Sequence, residues 1–232
     1  MKASILKKSL ISMIDSKIPV FVWGNPGVGK SSIIKQIAND KNMEFIDLRL
    51  SLLDPTDLRG IPFFDSANKS AIWAKPEFLP NSNSQAFGIL FLDEINSAPP
   101  TVQAAAYQLI LDRKIGEYTL PMNYAIVAAG NYESDRGVTY RMPTPLANRF
   151  VHLDFELDFE EWKSWAYESK IDTRIISFLS YKPQNLFTFD AKAKEKSFAT
   201  PRSWSFVNDI LNSNLQIEFL KDVISGAVGK DS

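Results

Sequence analysis

The chain has 232 residues, 45% of them hydrophobic and 23% charged, with 26 basic side chains against 27 acidic ones. A net charge of −1 gives neither a strongly basic nucleic-acid coat nor an acidic solvating tail. With no cysteine and one histidine, His152, the chain has no disulfides, zinc–thiolate sites, iron–sulfur clusters or multi-histidine metal sites.

No apolar run reaches the ~18 residues of a membrane span, and the first 17 residues lack the continuous apolar segment of a secretory signal. The expectation is a globular cytoplasmic protein without a membrane partner. At ~100–200 residues per domain, the length suits one large domain or a domain with a small lobe.

In chain order, residues 3–16 carry Ile5, Leu6, Leu10, Met13 and Ile14 at helical spacing. Residues 19–23 (PVFVW) form a short apolar run, expected as a buried strand, and a helix is expected over 30–39. Further strands are expected at 44–48, 88–92, 124–129 and 150–154. Apolar strands without polar alternation, separated by helices, point to a parallel sheet covered on both faces.

Residues 51–87 hold Pro55, Gly60, Pro62, Pro76 and Pro80, so loops and short helical turns are expected there. A helix should open at Pro99-Pro100 and run to about Leu111, followed by a small hairpin over 113–121 around Gly116. Beyond about 155, helix signals dominate at 158–170, at 172–180 and after Pro201. The expected organisation is an α/β core over 1–154 and a small helical lobe over 155–232. The charged run at 191–196 reads as solvated surface.

Gly24-Asn25-Pro26-Gly27-Val28-Gly29-Lys30-Ser31 fits G-x-x-x-x-G-K-[ST] without a mismatch, between an apolar strand and a helix. Glycines let successive backbone N–H groups turn toward one phosphate, and the following helix adds its positive end. Lys30 suits the β- and γ-phosphates and Ser31 suits Mg²⁺; residues 24–31 together with Ser32 are the expected nucleotide-binding set. Ile89-Leu90-Phe91-Leu92-Asp93-Glu94 is an apolar strand ending in two acids at the edge where open α/β sheets bind ligands. Asp93 is a candidate for the metal's shell and Glu94 for the general base. Asn131, after the strand at 124–129, should emerge at the same edge and orient water or touch the γ-phosphate.

The ordered set of Gly24–Ser31, Phe91–Glu94, Asn131, Asn148-Arg149-Phe150 and Pro201-Arg202 resembles an AAA+ ATPase. More narrowly, Phe91–Gln103, Asp57–Pro62 and Leu111–Pro121 resemble the MoxR-type branch, the last of these its helix-2 hairpin. The resemblance implies a P-loop core with a five-stranded sheet, a C-terminal helical lid, and ATP with Mg²⁺ bound between subunits of a ring, commonly a hexamer. It implies that Arg149 is an arginine finger, with Arg136 and Arg141 as alternatives, and that Arg202 is a lid sensor acting in cis or in trans. It also implies a protein client, with a separate von Willebrand A-type protein as one candidate. Relatives that append partner-binding domains would differ from this chain, whose last residue, Ser232, follows soon after the lid helix.

Three other readings share the motifs: a nucleic-acid motor or loader, a non-catalytic ATP-binding module, and a small-molecule kinase. Near-neutral charge does not favour the first, Asp93-Glu94 opposes the second, and the third leaves Arg149 and Arg202 without a joint role. His152 reads as a structural histidine, Trp162 and Trp165 as packing within the lobe, and Trp73 as a loop anchor.

Overall fold

The computed structural model describes residues 1–135, 140–193, 196–213 and 215–230. In order, the elements are α1 (Ala3–Asp15), β1 (Val20–Trp23), α2 (Lys30–Asp40), β2 (Glu44–Arg49), α3 (Pro55–Arg59), β3 (Ile61–Asp65), β4 (Ser70–Ala74), β5 (Gly88–Asp93) and α4 (Pro100–Asp112). They continue with β6 (Lys114–Ile115), β7 (Tyr118–Thr119), β8 (Tyr124–Gly130), α5 (Thr144–Ala147), β9 (Val151–Asp154), α6 (Phe159–Glu168), α7 (Thr173–Tyr181), α8 (Pro201–Leu211) and α9 (Ile217–Val228).

Five strands form one parallel sheet in the order β2-β5-β8-β1-β9. Every residue of β5 and β8 is buried, as a sheet covered on both faces requires. Successive side chains divide between two cores. Phe21, Leu90, Leu92, Ile126 and Ala128 pack toward α4. Val20, Val22, Ile89, Phe91, Val127 and Ala129 pack toward α1 and α2, which contribute Leu6, Leu10, Ile14, Ile34 and Ile37.

From β1 the chain leaves toward β2 at one edge, then returns across β5 and β8 and passes β1 to reach β9. The two directions part beside β1, so a crevice opens at its carboxyl end, where ligands bind in such sheets. The ends of β1, β5 and β8 all meet this crevice.

Behind β9 the helices α6–α9 share a third apolar cluster built on Trp162, Ile175, Ile176, Leu179, Leu186, Trp204 and Val207. The Thr200 hydroxyl accepts from the Ser203 amide and caps α8, and the Ser203 hydroxyl oxygen in turn accepts from the Thr200 amide.

Three features depart from the expectations. The stretch expected as loops and turns contains the antiparallel pair β3–β4, with Pro62 opposite Trp73. Proline fits because this two-stranded ladder has a free edge. Trp73 lies exposed on β4 and is not a buried loop anchor. Helix α9 was not expected; its Ile217, Phe219 and Val223 are exposed, whereas Ile224, Ala227 and Val228 pack on the apolar cluster of the lobe. The hairpin expected at 113–121 is present as β6–β7 and leads out of α4, whereas the larger excursion from the sheet is the unexpected β3–β4. Among the described residues, no helix is long and apolar enough to cross a membrane.

Candidate active site

The backbone turns sharply between Trp23 and Lys30, with Gly27 at φ +75° and Gly29 at φ +103°. Gly29 is the N-cap of α2 and offers no side-chain acceptor, so the first-turn amides remain available to an anion. A Cβ on Gly27 would lie 2.8 Å from the Thr200 hydroxyl, and the Gly27 carbonyl accepts from the Arg202 amide at 3.2 Å. The loop is thus packed against the start of α8. Gly27→Ala combines this clash with a left-handed backbone worth about 1–2 kcal/mol of strain. It should lower the melting temperature and weaken nucleotide binding together, as thermal unfolding with and without Mg-ATP will show.

Lys30 is buried, and its ammonium donates to the carbonyls of Gly24 (2.5 Å) and Asn25 (3.0 Å) and to Asn131 Oδ1 (2.9 Å). All three N–H donors are thereby used. Burial pushes its pKa down to about 8, against the pull of Asp93, Asp135 and Glu94, and Arg202 adds to the lowering. An ordinary lysine titrates near 10.5. Between about 8 and 10.5 the unfolded chain therefore holds a proton that the folded chain has released, so the ligand-free protein gains stability as pH rises through this window. Lys30→Met removes the titration. Urea unfolding at pH 8 and pH 10 should show the unaltered chain gaining stability relative to that variant.

Ser31 Oγ donates to Asp93 Oδ2 at 3.1 Å. Burial raises the pKa of Asp93, reinforced by the nearby carboxylates of Glu94 and Asp47 and opposed by the Ser31 hydroxyl. A desolvated carboxylate beside a hydroxyl is a hard-oxygen pair that a divalent cation would relieve. Among the described residues, no group of three or more His, Asp or Glu side chains is placed to hold a metal.

Glu94 sits in a left-handed backbone conformation at φ +55°. Its carboxylate accepts from the Ser51 hydroxyl and lies 3.9 Å from Arg49 Nε. Asn131 is held twice, since its side-chain oxygen accepts from Lys30 and its carbonyl accepts from Asn96 Nδ2 at 2.7 Å. Asn96 is buried, and a Cβ on Gly130 would fall 2.2 Å from its Oδ1, so a glycine there lets the amide approach.

Lys30, Ser31, Ser32, Asp93, Glu94, Asn131 and Arg202 line one cavity of about 820 Å³, with Pro26, Gly27, Val28 and Gly29 at its floor. Gly24 and Asn25 serve it through the carbonyls that hold Lys30. Arg202 thus faces the phosphate loop of its own chain. At the far end of the cavity stand α1 and α6, tied by Ser4, whose amide and hydroxyl donate to the Glu161 carboxylate at 2.8 and 2.5 Å. Trp162 and Trp165 both line the cavity, so neither packs wholly within the helical lobe as expected, although Trp162 is buried in its apolar cluster and Trp165 is exposed.

Arg149 does not join the cluster. It lies exposed after α5, outside the cavity lining, and Arg141 is also exposed. Arg136 lies outside the described residues. Arg49, Ser51 and Asn96 are site residues that sequence reading missed. The available signal was that the strand starting at Glu44 ends level with Asp93, where Arg49 is its register partner.

Residues 19–152 match the family described as "ATPase family associated with various cellular activities (AAA)". The chain belongs to the AAA ATPase family. This AAA chain is 28% identical over 152 residues to the Chaperone MoxR1 of Mycobacterium tuberculosis, covering 63% of this chain and 38% of that protein. The similarity agrees with the MoxR-type resemblance of the motifs. It is also 30% identical over 107 residues to the Replication factor C large subunit of Ignicoccus hospitalis, covering 46% of this chain and 20% of that one. The chain thus spans well under half the length of these curated relatives. Among solved structures, a RuvB mutant of Thermotoga maritima superposes with a TM-score of 0.51 at 20% identity, covering 98% of this chain and 66% of that one. This likeness shows the AAA+ P-loop fold.

Proposed function

We propose that this AAA chain hydrolyses Mg-ATP to ADP and phosphate in a ring, commonly a hexamer, and uses the cycle to remodel or activate a protein client. The observation that carries the reading is the convergence of Lys30, Ser31, Asp93, Glu94 and Asn131 on one cavity at the carboxyl edge of the sheet. The triphosphate would lie on the backbone N–H groups of the Gly24–Ser32 loop, Pro26 excepted, and its oxygens would take over the ammonium of Lys30 from the Gly24 and Asn25 carbonyls. Ser31 and Asp93 would hold Mg²⁺, which supplies charge neutralisation at the phosphates.

Glu94 would accept a proton from the attacking water as its oxygen bonds the γ-phosphorus and the bond to the ADP oxygen breaks. Asn131 would fix the γ-phosphate from one side and Arg202 from the lid. Arg149, exposed on its own subunit, is suited to reach the neighbour's γ-phosphate, where a guanidinium stabilises developing charge. The division of labour is a core over 1–154 and a lid over 155–232, working in the cytoplasm.

A net charge of −1 supplies no overall attraction to nucleic acid, so the client is taken to be a protein. Similarity to Chaperone MoxR1 supports this, and a von Willebrand A-type protein is the client we would try first. Phosphate release from Mg-ATP, measured against protein concentration alongside light scattering, should climb steeply as rings assemble. Assembled rings that release no phosphate would overturn the reading.

A further inference from the structure

Trp23 ends β1, directly before Gly24, whose carbonyl holds Lys30. Its indole Nε1–H donates to His152 Nδ1 at 2.9 Å, and His152 Nε2 lies 2.8 Å from the Ala147 carbonyl. An indole only donates and a carbonyl only accepts, so the two partners fix the imidazole as the neutral Nε2–H tautomer. Ala147 ends α5, two residues before Arg149.

On the other side of Arg149, the Phe150 ring stands edge-on to Phe21 at 5.6 Å and to His152 at 6.4 Å. Arg149 is therefore bracketed by two contacts that both lead to His152. Trp23 also stacks on Tyr132 at 6.2 Å and 12°. Tyr132 follows Asn131, which Lys30 grips, and its hydroxyl donates to Asp154 at 3.1 Å. One indole thus adjoins the phosphate loop along the chain, Asn131 through Tyr132, and the Arg149 turn through His152.

We propose that Trp23 and His152 are positioning residues that tie the nucleotide site of a subunit to the placement of the arginine it offers its neighbour. The proposal rests on the ATPase reading above and adds the route by which one site informs the next. His152 is exposed and Trp23 half-buried, so the pair is not simply core filling. Packed rings joined by directed hydrogen bonds pass small displacements on because they do not compress. A shift of Gly24 or Asn131 on nucleotide binding would move the indole, and through His152 the carbonyl and ring that flank Arg149.

Amide hydrogen exchange tests this on the full chain, with and without Mg²⁺ and a non-hydrolysable ATP analogue. Nucleotide should slow exchange at residues 24–32 and change it at 146–150. In His152→Phe, which keeps a ring and loses both hydrogen bonds, the response at 24–32 should persist and that at 146–150 should vanish. Turnover in rings should fall about twofold to thirtyfold at unchanged KM, the range such coupling spans. His152→Gln, able to accept and donate, should recover most of it. If His152→Phe does not fold, Trp23→Phe removes the same donor.

A response at 146–150 that survives either substitution, or is missing in the unaltered chain while 24–32 is protected, would overturn the proposal. No protection at 24–32 in the unaltered chain would overturn the ATP reading itself. Full turnover in Arg149→Ala would overturn the trans role of that arginine, independently of the exchange result.

Discussion

Glu94→Gln should bind Mg-ATP at least as tightly as the unaltered chain and hydrolyse it about 10²–10⁴-fold more slowly, the usual worth of a positioned base. The substitution keeps volume and leaves an oxygen to accept from the Ser51 hydroxyl, so the left-handed turn at 94 has no reason to move. It removes the proton acceptor and one negative charge. That charge is among those that raise the pKa of Asp93, so its loss makes the carboxylate beside Ser31 easier to ionise and to present to Mg²⁺. Binding and chemistry therefore separate. A fluorescent-nucleotide titration reads the first and single-turnover phosphate release the second. Turnover within about threefold of normal would place water activation on another group.

Lys30→Met should weaken nucleotide binding by about tenfold to 150-fold, the equivalent of one charge-assisted hydrogen bond. The ligand-free fold should change little. Three acceptors lose a donor, but a desolvated ammonium is removed as well, and these effects oppose each other. Isothermal titration with Mg-ATP, alongside thermal unfolding, distinguishes this from general damage. A large drop in melting temperature with unchanged affinity would assign Lys30 a structural role only.

What could be read from the sequence follows from how the information is stored. Buried parallel strands are written locally, as in Val20–Trp23 and 88–92, because side chains covered on both faces of the sheet must be apolar. The phosphate loop is also local, since backbone curvature demands its glycines at fixed spacing. Hairpin β3–β4 escaped because its alternate faces are both exposed, leaving no period-2 signal, and because Pro62 reads as a breaker. Helix α9 escaped because exposed Ile217, Phe219 and Val223 blur the face that Ile224, Ala227 and Val228 bury against the lobe. Ser51 and Asn96 act only through neighbours brought in by the fold, Glu94 for one and Asn131 for the other. Trp165 looked like lobe packing, because helical spacing says which residues share a face but not that the face borders a cavity.

In the proposed ring, one subunit supplies the cradle and acids while its neighbour supplies Arg149. Mixing Lys30→Met with Arg149→Ala tests this most directly. Each variant alone lacks one half of every site, so each should be inactive in rings. Mixed rings place an intact cradle from the Arg149→Ala chain beside an intact arginine from the Lys30→Met chain, and phosphate release should reappear. Mixed rings, confirmed to contain both chains, that stay as inactive as either parent would contradict the shared site.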